Sequence, residues 1–314
     1  LCSFTEWGLH FTIIQDIINT AFIQHIQSET LWRLVMESPY ANRIIMRDVR
    51  SAGEFLNASL RAELTKPKSN VTARMVILVL NHTVRIHTWV KAICGLYPEV
   101  NVPTMLVAVN CHDCAKLCAS SPNGWAENNA HLLIGKKKTR NFLTEELGKQ
   151  AQVVQKVELI VGCHSISGQG KIGNPKLDNP TSTEEKIVHD GNALDHVDAW
   201  GLLYFVEKLG ETIRKQLGIR KCLEDAWEHA VVAANGLILP PAKNIAGTKE
   251  TKGLLRRTHR CFLHLASLNL KTIEDLRMAF REFLKIEDPE LEPTLARFSQ
   301  LGPDPKHPIK NISA

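Results

Sequence analysis

The residues best able to do chemistry in this 314-residue sequence are centred on one dipeptide, His112-Asp113. His82 comes thirty positions before it, and Asp190 follows much later in the chain. Imidazole and carboxylate groups together form a mixed nitrogen and oxygen ligand set, which suits Mn²⁺, Fe²⁺, Co²⁺, Ni²⁺ or Mg²⁺. It differs from the thiolate-rich sites that are typical of zinc. We therefore predict a site for a divalent metal ion, with one ion favoured over two, whose ligands are His82, His112, Asp113 and Asp190.

Ligands that are so far apart in the chain need a bundle of helices to bring them together. Helical periodicity dominates the sequence, and alternating strand-like runs are scarce. We predict an all-α protein whose helices span 5–37 with a break, 42–64, 73–97, 102–118, 126–148, 150–164, 182–194, 197–217, 221–235, 251–268 and 272–286. The short turn between 73–97 and 102–118 would bring His82 level with His112-Asp113.

Two helix starts have the spacing of a capping box. Ser182 precedes Glu185 by three residues, and Thr272 precedes Asp275 by the same interval. In that arrangement the hydroxyl and the acidic side chain bind backbone N–H groups that the helix itself leaves unpaired. The pattern predicts that helices begin at these two points.

Loops divide the chain into three parts. Gly, Pro, Asn or Lys replace the periodic apolar residues at 65–72, 165–181 and 238–250. From these breaks we predict three regions: an N-terminal helical extension at 1–72, a metal-bearing core at 73–210 and a C-terminal helical extension at 211–314.

The overall composition is typical of a globular protein. Hydrophobic residues make up 44% of the chain, charged residues make up 23%, and the net charge is +5. This mildly basic balance tolerates anionic ligands without indicating nucleic acid, and no apolar run approaches the roughly eighteen residues of a membrane span. Eight cysteines without the spacing of a disulfide framework indicate reduced thiols. We expect a cytoplasmic protein with a small anionic partner, and an oligomer is compatible with the sequence.

The order of the predicted ligands resembles a known superfamily. A His, then His-Asp, then a distant Asp is the pattern of the HD-domain superfamily of metal-dependent phosphohydrolases, and the resemblance covers 73–209. It rests on three segments: HTVRI (82–86), VAVNCHD (107–113) and KIVHDGNALD (186–195). It implies a multi-helix HD-domain bundle in which the metal ligands are His82, His112, Asp113 and Asp190. It also implies hydrolysis of a phosphate ester or anhydride, with a nucleotide as the expected substrate.

One branch of that superfamily, the small bacterial hydrolases, has two further histidines, which His131 and His164 resemble. The chemistry of imidazole leaves three roles open for them: binding a second metal, binding a substrate phosphate, or hydrogen bonding inside the bundle. Substrate binding is the favoured role. The same branch usually has Asp-Ala-Asp-Arg-Leu-Asp where this chain has DGNALD at 190–195, a departure that keeps Asp190 and replaces a charged pair.

Asp113 and Lys116 are the predicted catalytic residues. A bound metal polarises a phosphoryl oxygen and lowers the pKa of a coordinated water, and Asp113 could accept the proton of that water. Lys116 follows Asp113 by one helical turn, which places its ammonium group near the metal for contact with a phosphate; a solvated lysine fits the spacing equally well. Asp195 and His189 are candidates for orienting the ligands.

Two other classes of function fit the sequence. The order His, His-Asp, His, His, Asp also resembles HD-type di-iron oxygenases, which fill two metal positions with that set. The helical extensions and the altered final motif fit a helical binding or scaffold protein with a vestigial metal site. The basic cluster at 135–140 contains no aromatic residues, so it predicts a solvated face rather than a nucleic-acid surface.

Overall fold

The computed structural model describes residues 39–164, 179–247 and 253–287. These residues form eleven α-helices and contain no β-strand, only an isolated bridge between Leu117 and Trp125. The all-α fold predicted from the helical periodicity is therefore confirmed over the described ranges. No helix in these ranges has the length and apolar character needed to cross a bilayer. The predicted helix at 5–37 lies outside the described residues.

The helices follow the predicted order along the chain. They are α1 (Pro39–Leu64), α2 (Ala73–Cys94), α3 (Val102–Cys111), α4 (Asn128–Asn141), α5 (Ala151–Cys163), α6 (Thr183–Val197), α7 (Ala199–Lys208), α8 (Gly210–Asn235), α9 (Pro240–Ala246), α10 (Leu254–Ser267) and α11 (Ile273–Glu287). A π-helical turn, Phe142–Glu146, continues α4. Most helix ends fall close to the predicted ones, because capping residues and glycines mark them in the sequence.

The helix that leads to His112-Asp113 is shorter than predicted. α3 ends at Cys111, and residues 112–127 form successive turns instead of continuing a helix to 118. In the first of these turns the N–H of Lys116 donates to the carbonyl oxygen of Asp113 over 2.9 Å. This turn keeps the three-residue spacing that a helix would give, so the side chains of Asp113 and Lys116 remain in contact.

Two more segments differ from the prediction for local reasons. The helix predicted at 197–217 is interrupted where Gly210 has a φ of 76°, a conformation open to glycine, and α8 begins at this residue after α7 has ended at Lys208. The loop predicted at 238–250 contains the two-turn helix α9, which begins with Pro240. Proline is favoured in the first turn of a helix because the N–H that it lacks would have no partner there.

Both predicted helix starts are confirmed, and the reciprocal capping box forms at Thr272. The Ser182 hydroxyl accepts a hydrogen bond from the N–H of Glu185 at 3.2 Å, at the start of α6. Before α11, the N–H of Asp275 donates to the Thr272 hydroxyl at 3.1 Å, and the N–H of Thr272 donates back to the Asp275 carboxylate at 2.9 Å. These reciprocal bonds occupy backbone donors that the first turn leaves unpaired.

Apolar side chains form three clusters in the described ranges. The largest lies among α2, α3, α5 and α6, and a second joins α7 to α8, α10 and α11. Glu207 of α7 reinforces the second junction, since its carboxylate accepts hydrogen bonds from Arg74 of α2 and Arg277 of α11. The predicted core and the predicted C-terminal extension therefore share a hydrophobic cluster. The seven cysteines in the described ranges are free thiols, as the sequence predicts.

A close approach of α2 and α6 brings together two residues of the candidate site. A Cβ atom on Gly191 would lie 2.6 Å from Cγ2 of Val90, so any larger residue would push the helices apart. The same Cβ would lie 3.7 Å from Cγ2 of Ile86. Ile86 is one turn after His82, and Gly191 is one turn before Asp195. The helix contact therefore places His82 beside Asp195.

Candidate metal centre

Asp113 lies at the centre of a buried cluster of imidazoles. Its Oδ2 atom is 3.5 Å from Nε2 of His112 and 3.7 Å from Nε2 of His82. Its Oδ1 atom is 3.4 Å from Nε2 of His164 and 3.6 Å from Nε2 of His131. None of the four histidines is more than 1% exposed, and Asp113 is fully buried. Each oxygen of one carboxylate thus faces its own pair of histidines.

The same kind of local hydrogen bond orients the rings of His112 and His164. Each follows a Cys at the end of a helix, and each Nδ1–H donates to the carbonyl oxygen three residues earlier, at 2.5 Å to Val109 and 2.7 Å to Val161. A helix leaves its last carbonyl groups without partners, so a histidine at this position can bind one of them. Because a carbonyl oxygen only accepts, the proton sits on Nδ1, and the Nε2 lone pair points toward Asp113.

His82 is oriented by a carboxylate from another helix. Its Nδ1–H donates to Oδ2 of Asp195 at 2.6 Å, which leaves Nε2 as the free atom facing Asp113. Arg85 binds both oxygens of the same Asp195, at 2.5 and 2.9 Å. A metal-binding histidine commonly donates its second ring N–H to a carboxylate or a carbonyl. His82, His112 and His164 all have this arrangement, and Asp195 takes the orienting role predicted for it.

Lys116 borders the cluster on the side of His131. Its ammonium nitrogen is 3.2 Å from Oδ1 of Asp113 and 3.5 Å from Nε2 of His131. The Lys116 side chain is 12% exposed, whereas Asp113 is fully buried. Lys116 is therefore more accessible than the buried carboxylate that it contacts.

The protonation states suit metal binding. Burial lowers the pKa of His112 to about 3 and also holds the pKa of His131 well below its usual range, so both rings are neutral near pH 7. Burial alone would raise the pKa of Asp113, but the ammonium group of Lys116 holds that pKa well below its usual range. An ionised carboxylate among neutral imidazoles is the form in which these groups bind divalent metals.

Several buried atoms of the cluster have no hydrogen-bond partner. They are both carboxylate oxygens of Asp113, Nε2 of His112, Nε2 of His164 and Nδ1 of His131. Unpaired buried polar atoms are costly and call for an explanation, such as an ion. Two groups could hold one, His82 with His112 and Asp113, and Asp113 with His131 and His164, because the ligand atoms within each group lie within 4.8 Å of one another. The residues therefore fit a divalent metal.

Asp190, the fourth predicted ligand, belongs to neither group. Its Oδ2 accepts from the N–H of Leu239 at 2.7 Å, its Oδ1 accepts from the N–H of Ile238 at 3.0 Å, and Nδ1–H of His189 donates to Oδ1 at 3.0 Å. Five residues separate Asp190 from Asp195, about 140° around a helix, so they project in different directions. The structure thus places Asp190 at the junction of α6 with the start of α9, and His189 orients Asp190 rather than a residue of the cluster.

In the sequence Asn192 is notable only as part of an altered motif, but in the structure its side chain contacts the backbone of His164. Its Nδ2 donates to the backbone oxygen of His164 at 2.9 Å, and its buried Oδ1 has no partner. Asn192 precedes Asp195 by three residues and therefore shares its side of α6. That spacing was the signal available in the sequence. An amide oxygen is a neutral oxygen donor that divalent metals accept.

Comparison with known proteins assigns no family. Neither protein-family models, nor curated proteins, nor solved structures contain a match to this chain. The chemistry of the centre therefore rests on its own contacts.

Proposed function

We propose that the protein is an HD-type metal-dependent phosphohydrolase that cleaves a phosphate ester or anhydride, with a nucleotide as the expected substrate class. One observation carries the proposal: the ammonium group of Lys116 lies 3.2 Å from the central carboxylate of a buried, unsatisfied cluster of four histidines and Asp113. The histidines and Asp113 are metal ligands by type, and the lysine supplies a cation for a substrate phosphate.

We assign separate roles to the residues that would bind the metal and to the residue that would bind the substrate. When bound, the metal would polarise a phosphoryl oxygen and lower the pKa of a water. Asp113 is ionised and faces histidines on both sides, so we assign it to metal binding. Its low pKa makes it a weak proton acceptor, which argues against the basic role expected from the sequence. Lys116 would neutralise charge on the phosphate at the edge of the cluster.

The number of metal ions follows from the roles of His131 and His164. From the sequence we predicted one ion, with substrate binding as the role of His131 and His164. Their distances to Oδ1 of Asp113, 3.6 and 3.4 Å, match the distances of His82 and His112 to Oδ2. This symmetry supports two ions: His82 and His112 would hold one, His131 and His164 would hold the other, and Asp113 belongs to both groups.

The same symmetry favours a second candidate, an HD-type di-iron oxygenase. Two pairs of histidines around one carboxylate suit two iron ions as well as two ions of a hydrolase. The cation Lys116 beside the cluster is the feature that favours hydrolysis of an anion. Metal content and oxygen dependence separate the two candidates.

The test begins with elemental analysis of the full chain after loading with Mn²⁺, Fe²⁺, Co²⁺, Ni²⁺ or Mg²⁺. Release of phosphate is then measured on a panel of nucleotides and simple phosphate esters, with and without oxygen. We expect metal binding, oxygen-independent hydrolysis with at least one metal, and loss of both in Asp113→Asn. Asp225→Asn is the matched control, because Asp225 is a partly exposed acid paired with Lys221. Oxygen uptake by the iron-loaded protein without hydrolysis would replace the first candidate by the second.

A further inference from the structure

We propose that Lys208, His196 and His229, together with Lys116, form a subsite for a second phosphate group beside the metal centre. The substrate would then carry two neighbouring phosphate groups, as a diphosphate or a longer phosphate anhydride does. This substrate class rests on the proposed function, whereas anion binding at the subsite can be measured without any reaction.

A continuous set of rings connects the metal centre to this subsite. The ring of Tyr204 stacks on His82 with centroids 4.8 Å apart, and the ring of His196 lies 5.4 Å from His82. His229 of α8 meets His196 edge to face at 4.8 Å. Lys208 lies one turn after Tyr204 along α7, and its ammonium nitrogen is 5.8 Å from the ring centroid of Trp125. The subsite therefore begins within one ring of a candidate metal ligand.

Three of the four groups of the subsite lack anionic partners, the exception being Lys116, which contacts Asp113. In the described parts of the chain, none of Lys208, His196 and His229 forms an ion pair. The carboxylates that face this region are Asp113, which contacts Lys116, and Asp195, which is bound by Arg85. Burial, followed by the neighbouring Lys116, lowers the pKa of Lys208 to about 7. Burying an ammonium group without a counter-ion is unfavourable, so an anion would supply the missing charge.

Hydrogen-bond donors are also available without partners. The hydroxyl of Tyr204 is buried and makes no hydrogen bond, although the residue is only 3% exposed. Nδ1 of His196 is likewise buried without a partner. Imidazoles, a phenol and an ammonium group can all donate to the oxygens of a phosphate. No carboxylate or thiolate belongs to this set, which disfavours a metal as the ligand.

The position of the subsite explains why it would hold a second phosphate rather than the first. The histidines around Asp113 are fully buried, whereas Lys208, His196 and His229 are partly exposed. A ligand that reaches the metal centre with one phosphate would therefore leave its neighbouring phosphate at this more accessible level. A substrate with a single phosphate would leave Lys208 without a counter-ion.

The experiment compares two inert probes on the full chain loaded with its metal. Methylenediphosphonate carries two phosphonate groups and methylphosphonate carries one, and isothermal titration gives both dissociation constants. We expect the diphosphonate to bind at least about tenfold more tightly, because charge-assisted hydrogen bonds are strong. Lys208→Met and His229→Gln should each remove most of that advantage. Lys137→Met is the matched control, since Lys137 is an exposed lysine of the basic cluster at 135–140.

The outcomes separate this inference from the proposed function. Equal affinities for the two probes, or an unchanged advantage in both Lys208→Met and His229→Gln, would overturn the subsite even if the protein hydrolyses phosphate compounds. A Lys208-dependent advantage would support the subsite even if no hydrolysis is found. Metal content after titration excludes removal of the metal by the diphosphonate, and thermal melting shows that each variant is folded.

Discussion

The chain contains two His-Asp dipeptides, both buried, and they have opposite surroundings. At His112-Asp113 the carboxylate faces four imidazoles, and both of its oxygens lack hydrogen-bond partners. At His189-Asp190 the carboxylate accepts hydrogen bonds from the N–H groups of Ile238 and Leu239 and from its own neighbouring histidine. The first pair lies after the end of α3, and the second lies within α6.

The partners of a carboxylate, and not the dipeptide to which it belongs, decide its role. Asp190 has its hydrogen-bonding capacity used by backbone donors, which attaches α6 to the segment before α9. Asp113 contacts the Lys116 ammonium group, but in the described ranges its oxygens accept no hydrogen bond and could bind a metal. A buried acid whose oxygens are satisfied supports the fold, whereas one left unsatisfied calls for an explanation such as a bound ion.

The largest effect on metal binding is expected when Asp113 is changed to Asn. This substitution keeps the shape of the side chain and removes the charge shared by both candidate metal positions. We expect metal content to fall to background and hydrolysis to fall by about 10³-fold or more, because a metal supplies several kcal/mol of transition-state stabilisation. Retained metal with retained activity would show that Asp113 is not the central ligand.

The matched change, Asp190→Asn, should have the opposite effect. It replaces an acceptor oxygen by an amide group that faces the backbone N–H groups of Ile238 and Leu239, so we expect a loss of roughly 2–3 kcal/mol in the free energy of unfolding. Metal content per folded chain should remain that of the original protein. Urea denaturation and elemental analysis measure the two quantities. Loss of metal from a variant that is still folded would restore Asp190 as a ligand.

An intermediate effect is expected at Asp195, which contacts the cluster only through His82. Asp195→Asn weakens the hydrogen bond that orients His82 and leaves Arg85 without its counter-ion. We expect metal affinity to fall by about 10- to 100-fold, as for other partners of metal-binding histidines. Competition with a chelator of known affinity measures the change, with Asp225→Asn as control. An affinity equal to that of the control would contradict the orienting role.

The smallest expected effect concerns the pH dependence of stability through Lys208. The pKa of Lys208 is about 7 in the folded protein against 10.5 for a free lysine, so between these values the unfolded chain holds more protons. The free energy of unfolding should therefore rise with pH across this window, and the penalty is fully present below about pH 7. Lys208→Met should lack this slope, while Lys137→Met should keep it. Parallel urea profiles for all three proteins between about pH 6.5 and 9.5 would contradict the lowered pKa of Lys208.

Local features of the sequence predicted most of the fold. Helical periodicity, the capping residues Ser182 and Thr272, and the loop at 65–72 all reflect interactions between residues a few positions apart. The errors occur where backbone conformation at one residue decides the result, as at Gly210, or where turns after Cys111 keep a helical spacing without a helix.

The candidate site was predicted in part. His82, His112 and Asp113 come together as expected, and His131 and His164 join them around the second oxygen of Asp113. The placement of Asp190 differs because its partners, Ile238 and Leu239, lie in a loop almost fifty residues later. The sequence offered no means of pairing that loop with α6.

By itself the sequence determined that the protein is helical, where most helices begin and end, and which residue types could bind a metal. Those properties depend on neighbours along the chain. The tertiary structure shows which of the two aspartates is unsatisfied and that Asp195 binds His82 across 113 positions. It also places Lys208, which forms no ion pair in the described ranges, near the cluster. The reason is that burial and hydrogen-bond partners come from helices distant in sequence, and these partners determine whether the oxygens of a buried carboxylate are satisfied or could bind a metal.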